Sequence, residues 1–332
     1  MSNFHLNMKN FLCNIAVHTG VETLLRKTNR HPRIVFWHGV DHNVNPLVET
    51  EMIEFSNFRK QIEYLHKYYE IISITEMKER IVNKQFTGKE IVLSFDDGYR
   101  NNLKVAAPLL KQMHLPFTVF VSTHHIDTGN IFPTSLARLI IWGAEIKKIS
   151  LPSINLNVVI NTTEERRRIA QTISRNLKTQ PLAVVDDLYN ELLHSISSDD
   201  FFRLYNMHKT LKPMSWEEVR ELHENYDCTI GAHCIDHLCC HENQDTNVVK
   251  EQITQSKVII EEKLNTPCLY FAYPNGNYTE SSNQCVLNAG FKMGVSTKPT
   301  RIETANSMAA IPRICLPSDV NIAKIKLNIN PR

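Results

Sequence analysis

The chain has no window of eighteen consecutive apolar residues, so nothing in it reads as a membrane-spanning helix. It also has almost no charge imbalance. Its 37 Lys and Arg against 35 Asp and Glu leave a net +2, with no sustained basic stripe, which gives no reason to expect a nucleic-acid partner. Its eight cysteines (Cys13, Cys228, Cys234, Cys239, Cys240, Cys268, Cys285 and Cys315) show no repeated spacing and no paired CxxC ligands. That argues against a separate zinc knuckle, although Cys239 and Cys240 lie near a His pair. A chain of 332 residues needs no disulfide framework, so free thiols in a reducing compartment are expected. A small-x-small cleavage site is missing as well. The run Phe11 to Val17 resembles a signal-peptide core, but Asn14, His18 and Thr19 interrupt or follow it. These features lean toward a cytoplasmic protein, at most on the inner membrane face.

What is present points to an α/β protein. From Arg33 onward, apolar runs alternate with helix-period segments. Ile34 to Trp37, Ile91 to Phe95, Phe117 to Val121, Cys228 to Ala232 and Leu269 to Tyr273 read as buried strands, with Met293 to Thr297 and Ile311 to Cys315 closing the series. Ser56 is a candidate cap for a helix carrying Phe58, Ile62, Leu65 and Tyr69, and Ser215-Trp216-Glu217-Glu218 is a capping box. Such alternation favours a mostly parallel sheet covered by helices, and barrel closure is compatible with it.

The pattern predicts three regions. Residues 1–30 form an amphipathic helical segment through Phe4, Met8, Phe11, Leu12, Ile15, Val21, Leu24 and Leu25; it packs on the main domain or makes peripheral contact with a membrane. Residues 31–126 and 214–332 form the main domain. Residues 127–213 break the rhythm as an insertion: Ile149 to Leu151 pairs with Asn155 to Ile160 as a hairpin, Thr162 to Lys178 is helical, and Arg166 to Arg168 are a solvated helix face. The insertion is read as a packed decoration, with a lid or partner surface as the alternative.

The chemistry concentrates after the strands, where parallel α/β proteins gather functional groups. Ser94-Phe95-Asp96-Asp97-Gly98 follows a buried strand, and two adjacent buried carboxylates need compensation that a cation supplies. His233-Cys234-Ile235-Asp236-His237 follows another strand. One Asp and two His fill three positions of a divalent-metal site and leave others open, the layout of a hydrolytic centre. Four-residue spacing puts the two imidazoles together on a helical turn, and a loop can also present both.

These segments resemble the polysaccharide deacetylase (NodB-homology, carbohydrate esterase 4) family over about residues 34–317. Ser94 to Gly98 is similar to its TFDDG motif, His233 to His237 to H-S/T-x-x-H with Cys234 in the Ser/Thr place, and Ala272-Tyr273-Pro274-Asn275-Gly276 to R-x-P-x-G. The resemblance implies a distorted (β/α)7 barrel carrying a helical/hairpin insertion. It implies a divalent metal, most readily Zn2+, on Asp97, His233 and His237. Asp96 is then the general base, and the Tyr273 backbone N–H the oxyanion donor. The implied reaction is hydrolysis of an N-acetyl or other N-acyl amide on an amino sugar, whether glycan, lipid-linked or nucleotide-linked.

Two departures stand out. The third-motif Arg is Ala272, and no His follows His241 to serve as the usual C-terminal general acid. Phe36-Trp37-His38-Gly39-Val40 resembles the element that carries this His in a circularly permuted branch, so His38 is the expected acid. Arg313 is the candidate replacement brace, or else a surface ion-pair partner. The competing reading is a catalytically impaired carbohydrate-binding or scaffold protein of the same fold.

Overall fold

The computed structural model describes residues 13–15, 17–298, 300–303, 307–316, 318 and 322–330. Twelve strands occur in chain order among them: β1 Arg33–Trp37, β2 Gly39–Asp41, β3 Met52–Glu54, β4 Glu70–Ile71, β5 Glu90–Phe95, β6 Phe117–Val121, β7 Lys148–Leu151, β8 Leu156–Val159, β9 Cys228–Ala232, β10 Tyr270–Ala272, β11 Met293–Val295 and β12 Ile314–Cys315. β1, β5 and β6 are buried along their whole length, which is why their sequences are continuous apolar runs.

The main sheet is parallel throughout, in the order β11-β10-β9-β6-β5-β1-β12. β4 adds to the start of β5, opposite Glu90 and Ile91, while β6 pairs further along at Ser94 and Phe95. The two edges of the sheet meet through one short segment. Ile311 bridges Val295 at the end of β11, and three residues later Ile314 pairs with Val35 of β1. The sheet therefore curls into a distorted barrel of seven strands, with β4 as an outlier.

Strand alternation sorts the side chains into two cores. Val35, Leu93, Phe95, Val119 and Ile230 join the cluster under the helices. Ile34, Val92, Phe120, Tyr270 and Met293 join a second cluster on the opposite face. Charges at the N-terminal ends of the strands are bonded rather than solvated. Arg33 donates to the carbonyls of Gly88 and Ile329, and Glu90 accepts from Thr87, Gly88 and Arg80.

Between β6 and β9 lies a third cluster built largely from residues 131–211, which also takes in Val48, Met52 and Tyr99. It contains the antiparallel hairpin β7–β8 and the helices Thr163–Thr179, Leu182–His194 and Ser198–Met207. Thr162 and Glu165 form a capping box that starts the first of these helices.

Three local expectations are corrected. Ser56 lies inside the helix Phe55–Tyr68; Glu54 occupies the N-cap and makes no side-chain cap bond. Arg166 is not part of a solvated face. It donates to the carbonyls of Ile141, Ala144 and Ile146, within and just after the helical segment that ends at Gly143. The helix Val21–Thr28 buries only Glu22, which accepts from the Tyr64 hydroxyl at 2.5 Å, while Leu24 is 63% exposed. It docks through polar contacts rather than its apolar stripe. Phe4, Met8, Phe11 and Leu12 lie outside the described residues.

Candidate active site and metal centre

β1, β5, β9 and β10 end at the same rim, and the segment after each supplies the site. Asp96 and Asp97 follow β5 directly, and both are almost fully buried. Their backbones diverge because Asp97 adopts φ +75°, which turns its side chain away from the strand direction of Asp96. Gly98 continues the turn at φ +79°.

Asp97 meets both imidazoles. Its Oδ1 lies 3.5 Å from His233 Nε2 and 3.3 Å from His237 Nε2. Two ligand atoms bound to one tetrahedral ion at about 2.0–2.1 Å are separated by roughly 3.3–3.4 Å, so this spacing fits three ligands around a cation. Oδ1 is buried and makes no hydrogen bond within the protein, an orphaned acceptor that a cation would satisfy. His233 Nδ1 sits 2.7 Å from the Ala272 carbonyl, which can only accept; Nδ1 therefore carries the proton and Nε2 presents a lone pair. Burial pushes the Asp97 carboxyl up, but the charge of His237 and the closeness of both imidazoles outweigh it and hold the group well below the usual range. Among the described residues, Asp97, His233 and His237 are the group of three whose donor atoms converge in this way.

The imidazoles stand on a loop, not a helical turn. Cys234 and His237 have φ +60° and +55°. Gln252, on the helix Thr246–Leu264, clamps that loop by accepting from the Ile235 and Asp236 amides and donating to the Asp236 carboxylate. Ser122 Oγ donates to the Ile235 carbonyl. Phe132 packs edge-on against His237 and stacks on His125. Among the described residues, four of the eight with positive φ other than glycine (Asp97, Cys234, His237 and Asn275) belong to this site. Such backbone costs of order 1–3 kcal/mol each and persists where surrounding contacts over-determine it.

Asp96 is bound differently. Arg313, immediately before β12, places Nη1 and Nη2 at 2.7 Å from its two carboxylate oxygens. Arg313 is fully buried, donates also to Ser94 Oγ and the Ser296 carbonyl, and lies against the rings of Phe36 and Phe120. Burial pushes the Asp96 carboxyl up; the Arg313 charge, His233 and the Arg313 hydrogen bonds overcome this and keep it below the usual range. Ala272, where the resemblance leads one to look for an arginine, instead lends its carbonyl to His233.

A cavity of about 60 Å³ opens above these groups. His38, Glu51, Asp97, Asp236, His237 and Asn275 line it. Lys178, Leu177, Leu182 and Val185 close one side, so the insertion forms a wall of the site and is more than a distant decoration. His38 follows β1, and its carbonyl accepts from Asn102 Nδ2 at 2.7 Å. Glu51 was not signalled by any motif; it pairs with Arg138 at 2.7 Å.

Tyr273 does not fit the role expected for it. Its N–H donates to the Val295 carbonyl at 3.0 Å within the sheet, and its ring is buried with the hydroxyl on Asn283. Asn275, two residues on, is the third-motif residue at the cavity. Gly276 beside it has φ +74°, and a Cβ there would lie 1.9 Å from Thr297 Oγ1, so only glycine closes this turn.

A family model described as polysaccharide deacetylase matches residues 83–180 and 189–294, a span that holds Asp96, Asp97, His233 and His237 but not His38, Glu51 or Arg313. Among solved structures, the Streptococcus pyogenes deacetylase PplD, determined with acetate, is 16% identical with a TM-score of 0.60, covering 92% of this chain and 100% of that one. IcaB from Ammonifex degensii is 15% identical (TM-score 0.56; 91% and 97% covered). A de-N-acetylase from Aggregatibacter actinomycetemcomitans is 13% identical (TM-score 0.55; 90% and 99% covered). At these identities the likeness is one of fold. No curated protein sequence matches the chain.

Proposed function

The chain belongs to the polysaccharide deacetylase family, and from that premise we propose that it hydrolyses the N-acetyl amide of an amino sugar in a metal-dependent reaction. The observation that carries this reading is the division of labour between neighbouring carboxylates. Asp97 faces two imidazoles with an unpaired oxygen, while Asp96 is held apart, ionised, by a buried arginine. A protein that only bound sugar would have no use for the second, braced carboxylate.

A divalent ion on Asp97, His233 and His237, for which zinc suits two imidazoles and one carboxylate, would polarise the amide carbonyl and acidify a water. The remaining work falls to this chain's own groups. Asp96 takes the proton of the attacking water; each of its oxygens keeps a lone pair after bonding Arg313. Arg313 fixes the orientation of that carboxylate and keeps it ionised until the water's proton arrives. His38, on the same cavity, gives a proton to the departing sugar amine. Asn275 takes the place first given to Tyr273 as the third-motif residue with access to the reacting carbonyl. The products are a free amine on the sugar and acetate.

The catalytically impaired alternative rested on the missing third-motif arginine and the missing C-terminal histidine, and the position of Arg313 weakens the first of these arguments. Acetate release from a panel of N-acetylated amino sugars tests the proposal. Release by the metal-loaded wild type, abolished by Asp96→Asn, supports it; a metal-loaded protein that releases no acetate from any member favours the binder.

A further inference from the structure

The catalytic cavity, at about 60 Å³, is well below the few hundred Å³ of an ordinary small-molecule site. The body of the substrate must lie outside it. Beside it runs a groove of about 450 Å³, within the range of small-molecule sites. The two spaces share Lys178. The Glu51–Arg138 pair stands between them, with Glu51 lining the catalytic cavity and Arg138 the groove.

The groove's charge is one-sided. Arg138, Arg167, Arg175 and Lys178 line it, and no acidic side chain does, in a chain whose net charge is only +2. Arg138 is balanced by Glu51 and Arg167 by Glu164. Arg175 and Lys178 have no carboxylate at ion-pair distance among the described residues. Three of the four cations come from the helix Thr163–Thr179, with Gln171 and Ser174 between them on the same wall. The rest of the lining comes from Pro46, Leu47, Thr50, Arg138 and Trp142, mostly apolar apart from Arg138. A guanidinium fork and an ammonium without carboxylate partners, beside apolar side chains, suit phosphate attached to a larger carrier.

We propose that this groove is a subsite for a phosphate or diphosphate carried by the N-acylated sugar. The natural substrate is then a phosphorylated, carrier-linked amino sugar rather than a neutral polymer. This rests on the deacetylase reading above and specifies its substrate class. The carrier, a nucleotide or a prenyl chain, presents the same phosphate chemistry to Arg175 and Lys178.

Two measurements test it. The first is calorimetric binding of inorganic diphosphate at matched ionic strength, which needs no turnover. Binding is expected for wild type and for Asp96→Asn, weakened about tenfold or more by Arg175→Glu and largely restored in Arg175→Lys, with unchanged melting temperatures. The second compares kcat/KM for N-acetylglucosamine 1-phosphate, UDP-N-acetylglucosamine, farnesyl-diphospho-N-acetylglucosamine and neutral chitotriose. A preference for any phosphorylated sugar that Arg175→Glu erodes supports the subsite, and the best arm identifies the carrier. No diphosphate binding, binding indifferent to Arg175→Glu, or chitotriose turned over as well as every phosphorylated arm overturns it. Diphosphate binding without acetate release from any arm instead overturns the deacetylase reading and leaves the anion site standing.

Discussion

Arg313 and Asp96 stand 217 residues apart in sequence and meet through two parallel contacts of 2.7 Å, buried between the rings of Phe36 and Phe120. Breaking a buried pair by removing one partner costs about 3–5 kcal/mol, because the other charge is left uncompensated. Arg313→Ala is therefore expected to lose about that much in urea unfolding. Arg313→Lys keeps the charge without the fork and should fall between. The double variant Arg313→Ala/Asp96→Asn should recover part of the loss, since it leaves no lone charge. An Arg313→Ala protein within about 1 kcal/mol of wild type would show that the pair is not held as described.

The orphaned oxygen of Asp97 makes a separate prediction about metal. Purified wild type should carry close to one equivalent of divalent ion, and Asp97→Ala, His233→Ala or His237→Ala much less. A ligand that binds only the folded state at a hundred times its Kd stabilises it by about 2.7 kcal/mol. Adding Zn2+ to chelator-treated wild type should thus raise the melting temperature, and the same addition to Asp97→Ala should not. Full metal content in all three variants would place the ion elsewhere.

His38 lines the catalytic cavity without belonging to the cluster of three metal-ligand candidates. Its replacement by Ala should lower kcat about 10²–10⁴-fold, the span of general acid catalysis, while metal content stays near wild type. Unchanged turnover would show that the proton comes from another group or from water.

The parts of the molecule that were legible in the sequence are those with local signatures. Continuous apolar runs marked β1, β5 and β6, because strands buried on both faces have no polar side to show. Ser215 with Glu218 announced a helix start. What escaped depends on distant closure or on backbone. The run Ile311 to Cys315 marked a last strand, but that its two paired residues close the barrel onto β1 and bring Arg313 to Asp96 shows only in the fold. Nothing local marks Glu51, which reaches the cavity only because β2 and β3 pair and the Arg138 side chain meets it. The third motif was visible, but whether Tyr273 or Asn275 faced the cavity turned on which N–H the sheet had already taken.

Three carboxylates give the fold a predictable response to acid. Asp96 and Glu51 are pushed up by burial but brought below the usual range chiefly by the charges of Arg313 and Arg138 respectively. Glu90, at the far end of the barrel, is pushed up by burial and brought down by the amides of Thr87 and Gly88 and the Thr87 hydroxyl. A group whose folded value is depressed binds its proton more readily when unfolded. Its contribution to stability is complete above the unfolded carboxylate range of about 4–4.5 and disappears as the pH falls through the lower folded value. The urea midpoint should therefore fall gently below about pH 6.5, where the unfolded chain protonates His125 while burial keeps it neutral in the fold, and drop steeply below about 4 as the carboxylates take up protons. Glu90→Gln separates this effect from the catalytic site, since Glu90 lies at the opposite end of β5 from Asp96. Its acid slope should be shallower than that of wild type while metal content is unchanged. If the slope is the same, the amides of Thr87 and Gly88 do not hold a carboxylate in solution, and acid sensitivity must come from the rim alone.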